Sequence, residues 1–128
     1  MPVLNELVQE WLDKAYDDEL NAKSILTHKD GTPSAVCFLS QQMTEKLLKG
    51  LLVFHKREFP KMHDLLLISK LLLDMEPEII TFINDLKVIN HYYIETRYPG
   101  DYPEFSWEDA QKALSIAQKL KKFVLAII

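Results

Sequence analysis

Apolar residues recur along most of this chain at spacings of three, four or seven, and alternation of the kind a half-buried strand requires is nowhere sustained. The pattern predicts an all-helical protein. A first helix runs from about Leu4 to His28, with Leu4, Val8, Trp11, Ala15, Ala22 and Leu26 on one face and Glu6, Asp13, Asp17 and Lys23 opposite. Asp30-Gly31 ends it. Thr32 then offers an N-cap and Pro33 a first helical residue for a second helix reaching about Lys56. That second helix is apolar over more than one stripe: Ala35, Phe38 and Leu39 on one side, Val36, Met43, Leu47, Leu51 and Phe54 on another. So wide an arc suits a helix that is central or sits at a subunit interface. Gly50 lies inside it, where glycine costs about 1 kcal/mol relative to alanine. Either a neighbouring backbone approaches closely there or the cost is simply tolerated.

A basic linker, Arg57 to Met62, contains Pro60. A shorter helix follows from His63 or Asp64 to Met75, with Leu65, Ile68, Leu72 and Met75 inward. Pro77 opens a helix extending to about Arg97, with Ile79, Ile83, Leu86, Asn90 and Tyr93 sharing a face. Pro99, Gly100 and Pro103 break the chain. Ser106 with Asp109 three residues later reads as a capping box for a last helix, with Ala110, Ala113, Ala117, Leu120, Val124 and Ile127 inward. The prediction is one domain over residues 1–128, an up-and-down four-helix bundle with an additional short helix. Trp11, Phe38, Met43, Leu47, Leu72, Ile83, Leu86 and Leu120 should lie in or near its core.

The charge balance narrows the function classes. Fifteen basic residues against nineteen acidic ones give a net charge of -4, which argues against broad coating of nucleic acid but leaves room for a local basic patch. The single cysteine, Cys37, excludes an intrachain disulfide and a cysteine-based metal cluster. No metal site or cofactor is predicted, because four histidines and one cysteine are scattered without ligand spacing. No phosphate-binding glycine loop, nucleophile elbow or zinc-protease motif occurs. Residues 1–11 already carry Glu6 and Glu10, unlike a signal peptide, and no apolar run is long enough for a membrane span. A cytoplasmic protein is the expectation.

Several residues stand out against this background. Asp18 falls on the apolar stripe of the first helix, where a carboxylate needs a cation or a wet cavity; Lys46 and Arg97 are the candidate partners. Gln42, Lys46 and Lys49 interrupt the second helix in a similar way. Together with Asp18 they describe either a polar cleft or a few long side chains reaching water at the bundle edge. His63-Asp64 stands at a helix start, where Asp64 is favourably placed and His63 can cap, pair with a carboxylate or take part in acid–base work. The run Tyr92-Tyr93-Ile94-Glu95-Thr96-Arg97-Tyr98-Pro99 sets tyrosines on both sides of Arg97. Arginine grips phosphate and tyrosine stacks on bases, so a nucleotide site can be assembled there. The alternative is an arginine tying down a helix end among interfacial tyrosines. Lys46, Lys49, Lys56, Arg57 and Lys61 form the best candidate for RNA-backbone contact, diluted by Glu45 and Glu58.

These residues occur in a recognisable order. Trp11-Leu12-x-x-Ala15-x-x-Asp18, Ala35-x-x-Phe38-x-x-Gln41-Gln42-x-x-Glu45-Lys46-x-x-Lys49, His63-Asp64-Leu65 and Arg97-Tyr98-Pro99 resemble the HEPN domain family over nearly the whole chain. The resemblance implies a helical bundle that commonly dimerises. It also implies a small member of the kind encoded beside a minimal nucleotidyltransferase, in a two-component or toxin–antitoxin module. Some members are metal-independent ribonucleases that use an arginine and a histidine shortly after it, at the position matching Arg97. Here Tyr-Pro-Gly-Asp-Tyr-Pro-Glu-Phe follows Arg97 and no histidine occurs from there to the end of the sequence. Arg57 and His63 have a similar spacing but precede the short helix. His91 sits six residues before Arg97, roughly 240° away around a helix.

The expected function is therefore a non-catalytic nucleotide- or RNA-binding module. Its binding residues would be Lys46, Lys49, His63, Arg97 and Tyr98, acting in a homodimer or beside a nucleotidyltransferase. A metal-independent ribonuclease using Arg97 with His63 or His91 is the first alternative. A structural interaction scaffold is the second.

Overall fold

The structure is a computed structural model, and it describes residues 2–59, 61–95 and 104–128. Three long helices, α1 (Pro2–His28), α2 (Pro33–Phe54) and α6 (Trp107–Ile127), form most of the bundle. The fourth side is built from shorter pieces: α3 (Leu65–Lys70), a 3₁₀ turn (Pro77–Phe82), α4 (Ile83–Asn90) and α5 (Tyr92–Glu95). No strand occurs among the described residues, as the helical periodicity requires.

Helix α2 is central and packs against both α1 and α6. Its wide apolar arc is covered on two sides: Val36, Cys37, Met43, Leu47, Leu48, Leu51 and Leu52 are all buried. They meet Ala15 and Ala22 from α1 and Ala113, Ala117, Leu120 and Val124 from α6. The small residues on α1 and α6 let those helices approach α2 closely. Gly50 belongs to the same device. A Cβ built on it would lie 3.1 Å from the Trp11 Cβ, so a near approach of α1 explains the glycine. Trp11, Phe38 and Ile83 are only half-buried, whereas Met43, Leu47, Leu72, Leu86 and Leu120 are inside.

The caps follow the sequence. Thr32 accepts from Ala35 N with Pro33 at the first helical position, and the Ser106–Asp109 capping box has both of its hydrogen bonds. The C-terminus of α2 closes with Arg57 N donating to Leu52 O at 2.9 Å and Lys56 N to Val53 O at 2.9 Å. Lys56, at φ 61°, occupies the left-handed position that glycine usually takes in this arrangement.

Two predicted helices are shorter or more broken than the periodicity suggests. The helix expected to reach Met75 ends at Lys70, and the chain continues through turns closed by Leu71 N to Ile68 O at 3.1 Å and Leu72 N to Ser69 O at 3.0 Å. The same side chains stay buried, because a tighter turn still returns Ile68 and Leu72 to the core. The helix expected from Pro77 to Arg97 begins instead as a 3₁₀ turn and breaks at His91. Ile79, Ile80, Thr81 and Ile83 crowd its start with β-branched side chains, which lose rotamer freedom against a preceding α-turn. Near the break, the Asn90 side chain is turned toward α3. The remainder of that prediction, residues 96 and 97, lies outside the described residues. Among the described residues no helix is long and apolar enough to cross a membrane.

Candidate functional site

Helix α2 buries five polar side chains in an otherwise apolar environment: Ser40, Gln41, Thr44, Glu45 and Lys49. Ser40 and Thr44 satisfy themselves by donating to the carbonyls of Val36 and Ser40, each at 2.8 Å. Gln41, Glu45 and Lys49 are spaced i, i+4, i+8 and form a row. Lys49 Nζ lies 3.0 Å from Glu45 Oε2, and Gln41 Nε2 lies 3.4 Å from Glu45 Oε1. The Glu45 and Lys49 side chains are only 6% and 7% exposed, so the two charges neutralise each other away from water. The rings of Trp11 and Phe59 flank the ammonium, with centroids 6.0 and 5.8 Å away, and pack edge to face on one another at 4.9 Å.

The segment between α2 and α3 brings His63 onto this row. His63 Nδ1 is 2.9 and 3.1 Å from the two oxygens of Glu45. Gln41 donates to the His63 carbonyl at 3.1 Å, so the residue is held by backbone as well as ring. Asp64 then caps α3, accepting from Leu66 N at 3.0 Å and Leu67 N at 3.3 Å. Asn90 braces the cap: it donates to Asp64 Oδ1 at 3.1 Å and accepts from Leu65 N at 2.7 Å. One face of the His63 ring stacks on Tyr93, with centroids 4.1 Å apart and planes 17° apart; Phe38 lies beyond Tyr93 at 6.1 Å. The His63 side chain nonetheless remains 46% exposed. The arrangement thus begins in a buried ion pair and ends in an imidazole at the surface.

The other candidates fall as follows. Asp18 meets Lys46, with Nζ and Oδ2 2.6 Å apart at the α1–α2 contact. Burial pushes the Asp18 carboxyl above its ordinary range, against the pull of the Lys46 ammonium. Gln42 donates to Gln41 Oε1 at 2.6 Å and so joins the row at its edge. Lys46 and Lys49 are both matched by carboxylates, which leaves Lys56 and Lys61 as exposed cations of the linker; Arg57 pairs with Asp74 at 2.9 Å. His91 is exposed and shares no hydrogen bond with the His63 network. Arg97 and Tyr98 lie outside the described residues. Burial raises the Cys37 thiol to about 12, which makes it an inert core residue. No group of three His, Cys, Asp or Glu side chains converges as a metal site among the described residues.

Sequence reasoning missed Glu45 as the centre of this network and Tyr93 as the ring under His63. Glu45 read as a charge diluting a basic run. The available signal was the Gln41–Glu45–Lys49 spacing inside a helix too apolar to leave any of the three in water.

Comparison with known proteins bears on the whole bundle. No curated protein matches the chain. A crystal structure of TT1696 from Thermus thermophilus is 30% identical and superposes with a TM-score of 0.78, covering 94% of this chain and 98% of that one. A crystal structure of ST0689, described as an archaeal HEPN homologue, is 29% identical with a TM-score of 0.71, covering 93% and 95%. The HEPN domain profile matches residues 8–127, which takes in α2, the His63 segment and α6. With that span matched and the bundle shared, this chain belongs to the HEPN domain family.

Proposed function

We propose that this chain is a HEPN module that binds a nucleotide or single-stranded RNA at the His63–Tyr93 face without turning it over. It would work as a homodimer or as the companion of a nucleotidyltransferase in a two-component system of toxin–antitoxin type. The observation that carries the reading is the half-exposed His63 ring, stacked on Tyr93 and held by Glu45. An aromatic column ending at the surface accepts a further flat ring, and base stacking on such platforms is tolerant of sequence. Lys56 and Lys61 on the same linker supply positive charge for phosphate in a chain that is acidic overall. Arg97 and Tyr98 are the expected further contributors. Turnover without a metal needs both a base and an acid at the scissile phosphate. Among the described residues a single histidine serves this network.

Support for a partner comes from apolar surface. Leu67 and Ile80 are exposed at a groove of about 400 Å³ between α3 and the 3₁₀ turn, with Lys70 and Lys87 on its rim. Leu12, Tyr16 and Leu125 line a second groove of about 250 Å³ between α1 and α6. Such clustering favours covered faces over isolated exposed side chains.

One observation favours the ribonuclease alternative. A carboxylate on Nδ1 of an exposed imidazole is the arrangement that orients the general base of a Ser-His-Asp hydrolase, and Glu45 stands so to His63. A single experiment separates the readings. Purified protein is incubated with labelled single-stranded RNA in EDTA, and ATP and short RNA are titrated by calorimetry at low salt. Both are repeated with His63→Ala and Arg97→Ala. Binding without cleavage, lost in both variants, supports the module. Metal-independent cleavage lost in His63→Ala supports the nuclease. Neither binding nor cleavage overturns both and leaves the scaffold.

A further inference from the structure

We propose that Glu45 is the positioning residue of this site: it keeps the His63 proton on Nδ1, so that Nε2 is the ring nitrogen that faces outward. Only the statement that Nε2 meets the ligand rests on the binding reading above; the tautomer does not. A carboxylate accepts hydrogen bonds and donates none. Both Glu45 oxygens lie within 3.1 Å of Nδ1, so that nitrogen carries the hydrogen whether the ring is neutral or charged. The hydrogen bond made by one ring nitrogen fixes the protonation of the other.

The carboxylate is itself held in place. Lys49 supplies its countercharge at 3.0 Å, and Trp11 and Phe59 flank that ammonium and shield it from water. The Gln41 amide touches Glu45 Oε1 and the His63 carbonyl at once, which ties the acid and the imidazole into one unit. Tyr93 limits tilting of the ring from one face. Asp64, next in the chain, is occupied by the α3 amides and Asn90, so it does not compete for the ring. His63 Nε2 forms no hydrogen bond with another described residue. A histidine side chain free in water prefers its proton on Nε2, so this site imposes the less common tautomer and aims a lone pair at whatever occupies the surface. A hydroxyl or an exocyclic amine of a nucleotide would donate to it when neutral, and a phosphate oxygen would accept from it when protonated.

The test is a long-range proton–nitrogen correlation spectrum of ring-labelled protein recorded from mildly acidic to mildly alkaline pH. The expected result is an Nδ1 signal of protonated type at every pH. In Glu45→Met/Lys49→Met, which removes both buried charges together, the high-pH signals should exchange toward the Nε2–H form. Calorimetric affinity for a short single-stranded RNA should fall about tenfold, the scale of one charge-assisted hydrogen bond. A wild-type ring with its high-pH proton on Nε2 overturns the proposal, and that measurement needs no variant to fold. If the wild-type tautomer is as expected and the RNA binds neither protein, Glu45's control of the ring is upheld and the binding reading fails.

Discussion

Two glutamates in this bundle are equally buried and have different consequences. Glu19 on α1 and Glu45 on α2 each have a side chain 6% exposed, a lysine and a glutamine amide in contact. Glu19 takes Lys121 at 2.7 Å and Gln118 at 3.1 Å, both from α6, and clamps the two helices together. Glu45 takes Lys49 and Gln41 from its own helix, joins no second helix, and has a third partner in His63 on the linker. The lysines differ too. Lys121 keeps 31% of its side chain in contact with solvent, whereas Lys49 keeps 7%. A buried carboxylate that joins two helices is explained by the fold. One whose partners on its own helix already satisfy it, and which still reaches a surface imidazole, marks where the proposed ligand site begins.

The largest expected effect breaks the comparison directly. Glu45→Leu leaves the Lys49 ammonium buried without its counterion and should lower the unfolding free energy by about 3–5 kcal/mol. Glu19→Leu lets Lys121 return to water and should cost only about 1–2 kcal/mol. Urea unfolding of both variants checks this, and equal losses would erase the distinction. Next in size, Gly50→Val should cost about 1–3 kcal/mol by pushing on Trp11. It should also disturb the Trp11 ring beside Lys49, visible in tryptophan fluorescence, while leaving the Glu19 clamp intact.

Two buried acids of α1, Asp18 and Glu19, respond to acid in opposite directions. Burial raises the Glu19 carboxyl, but hydrogen bonds from Lys121 and Gln118 outweigh it, and the folded-state value lies below the ordinary 4.5. Its stabilisation is therefore present above that ordinary value and is lost as pH falls through the depressed one. Asp18 runs the other way: burial raises its folded-state value against the pull of Lys46, so its ionisation weighs against the fold and acidification relieves it. Thermal melts below neutral pH should show a shallower acid loss in Glu19→Gln and a steeper one in Asp18→Asn. The smallest effect is a gain. Lys56→Gly at φ 61° should raise stability by about 0.5–1 kcal/mol. It should leave the Glu45 network unchanged, as the His63 ring signals would report.

Much of this architecture is legible in the sequence. The stripes on α1, α2 and α6, the Thr32 and Ser106 caps and the central place of α2 all follow from local periodicity and cap chemistry. The Pro77 segment is not, because a run of β-branched residues fits an α-helix and a tighter turn equally well on pattern alone. Asp18 could be singled out because its burial demands a cation, and the structure supplies Lys46. His63 could be singled out by its position at a helix start. Its partner could not: Glu45 and His63 are eighteen residues apart, and nothing local says that the linker folds back along α2. Lys49 looked like a free cation for the same reason, since its counterion sits within a row whose burial only packing decides.

Whether the Glu45 network serves a ligand and the Glu19 network serves the fold is decided by an amide chemical-shift titration with a short single-stranded RNA at low salt. Shifts should concentrate at Gln41, Glu45, His63 and Tyr93, with none at Glu19, Gln118 and Lys121. Shifts centred on Glu19 and Lys121, with His63 and Tyr93 unmoved, would contradict that division of roles.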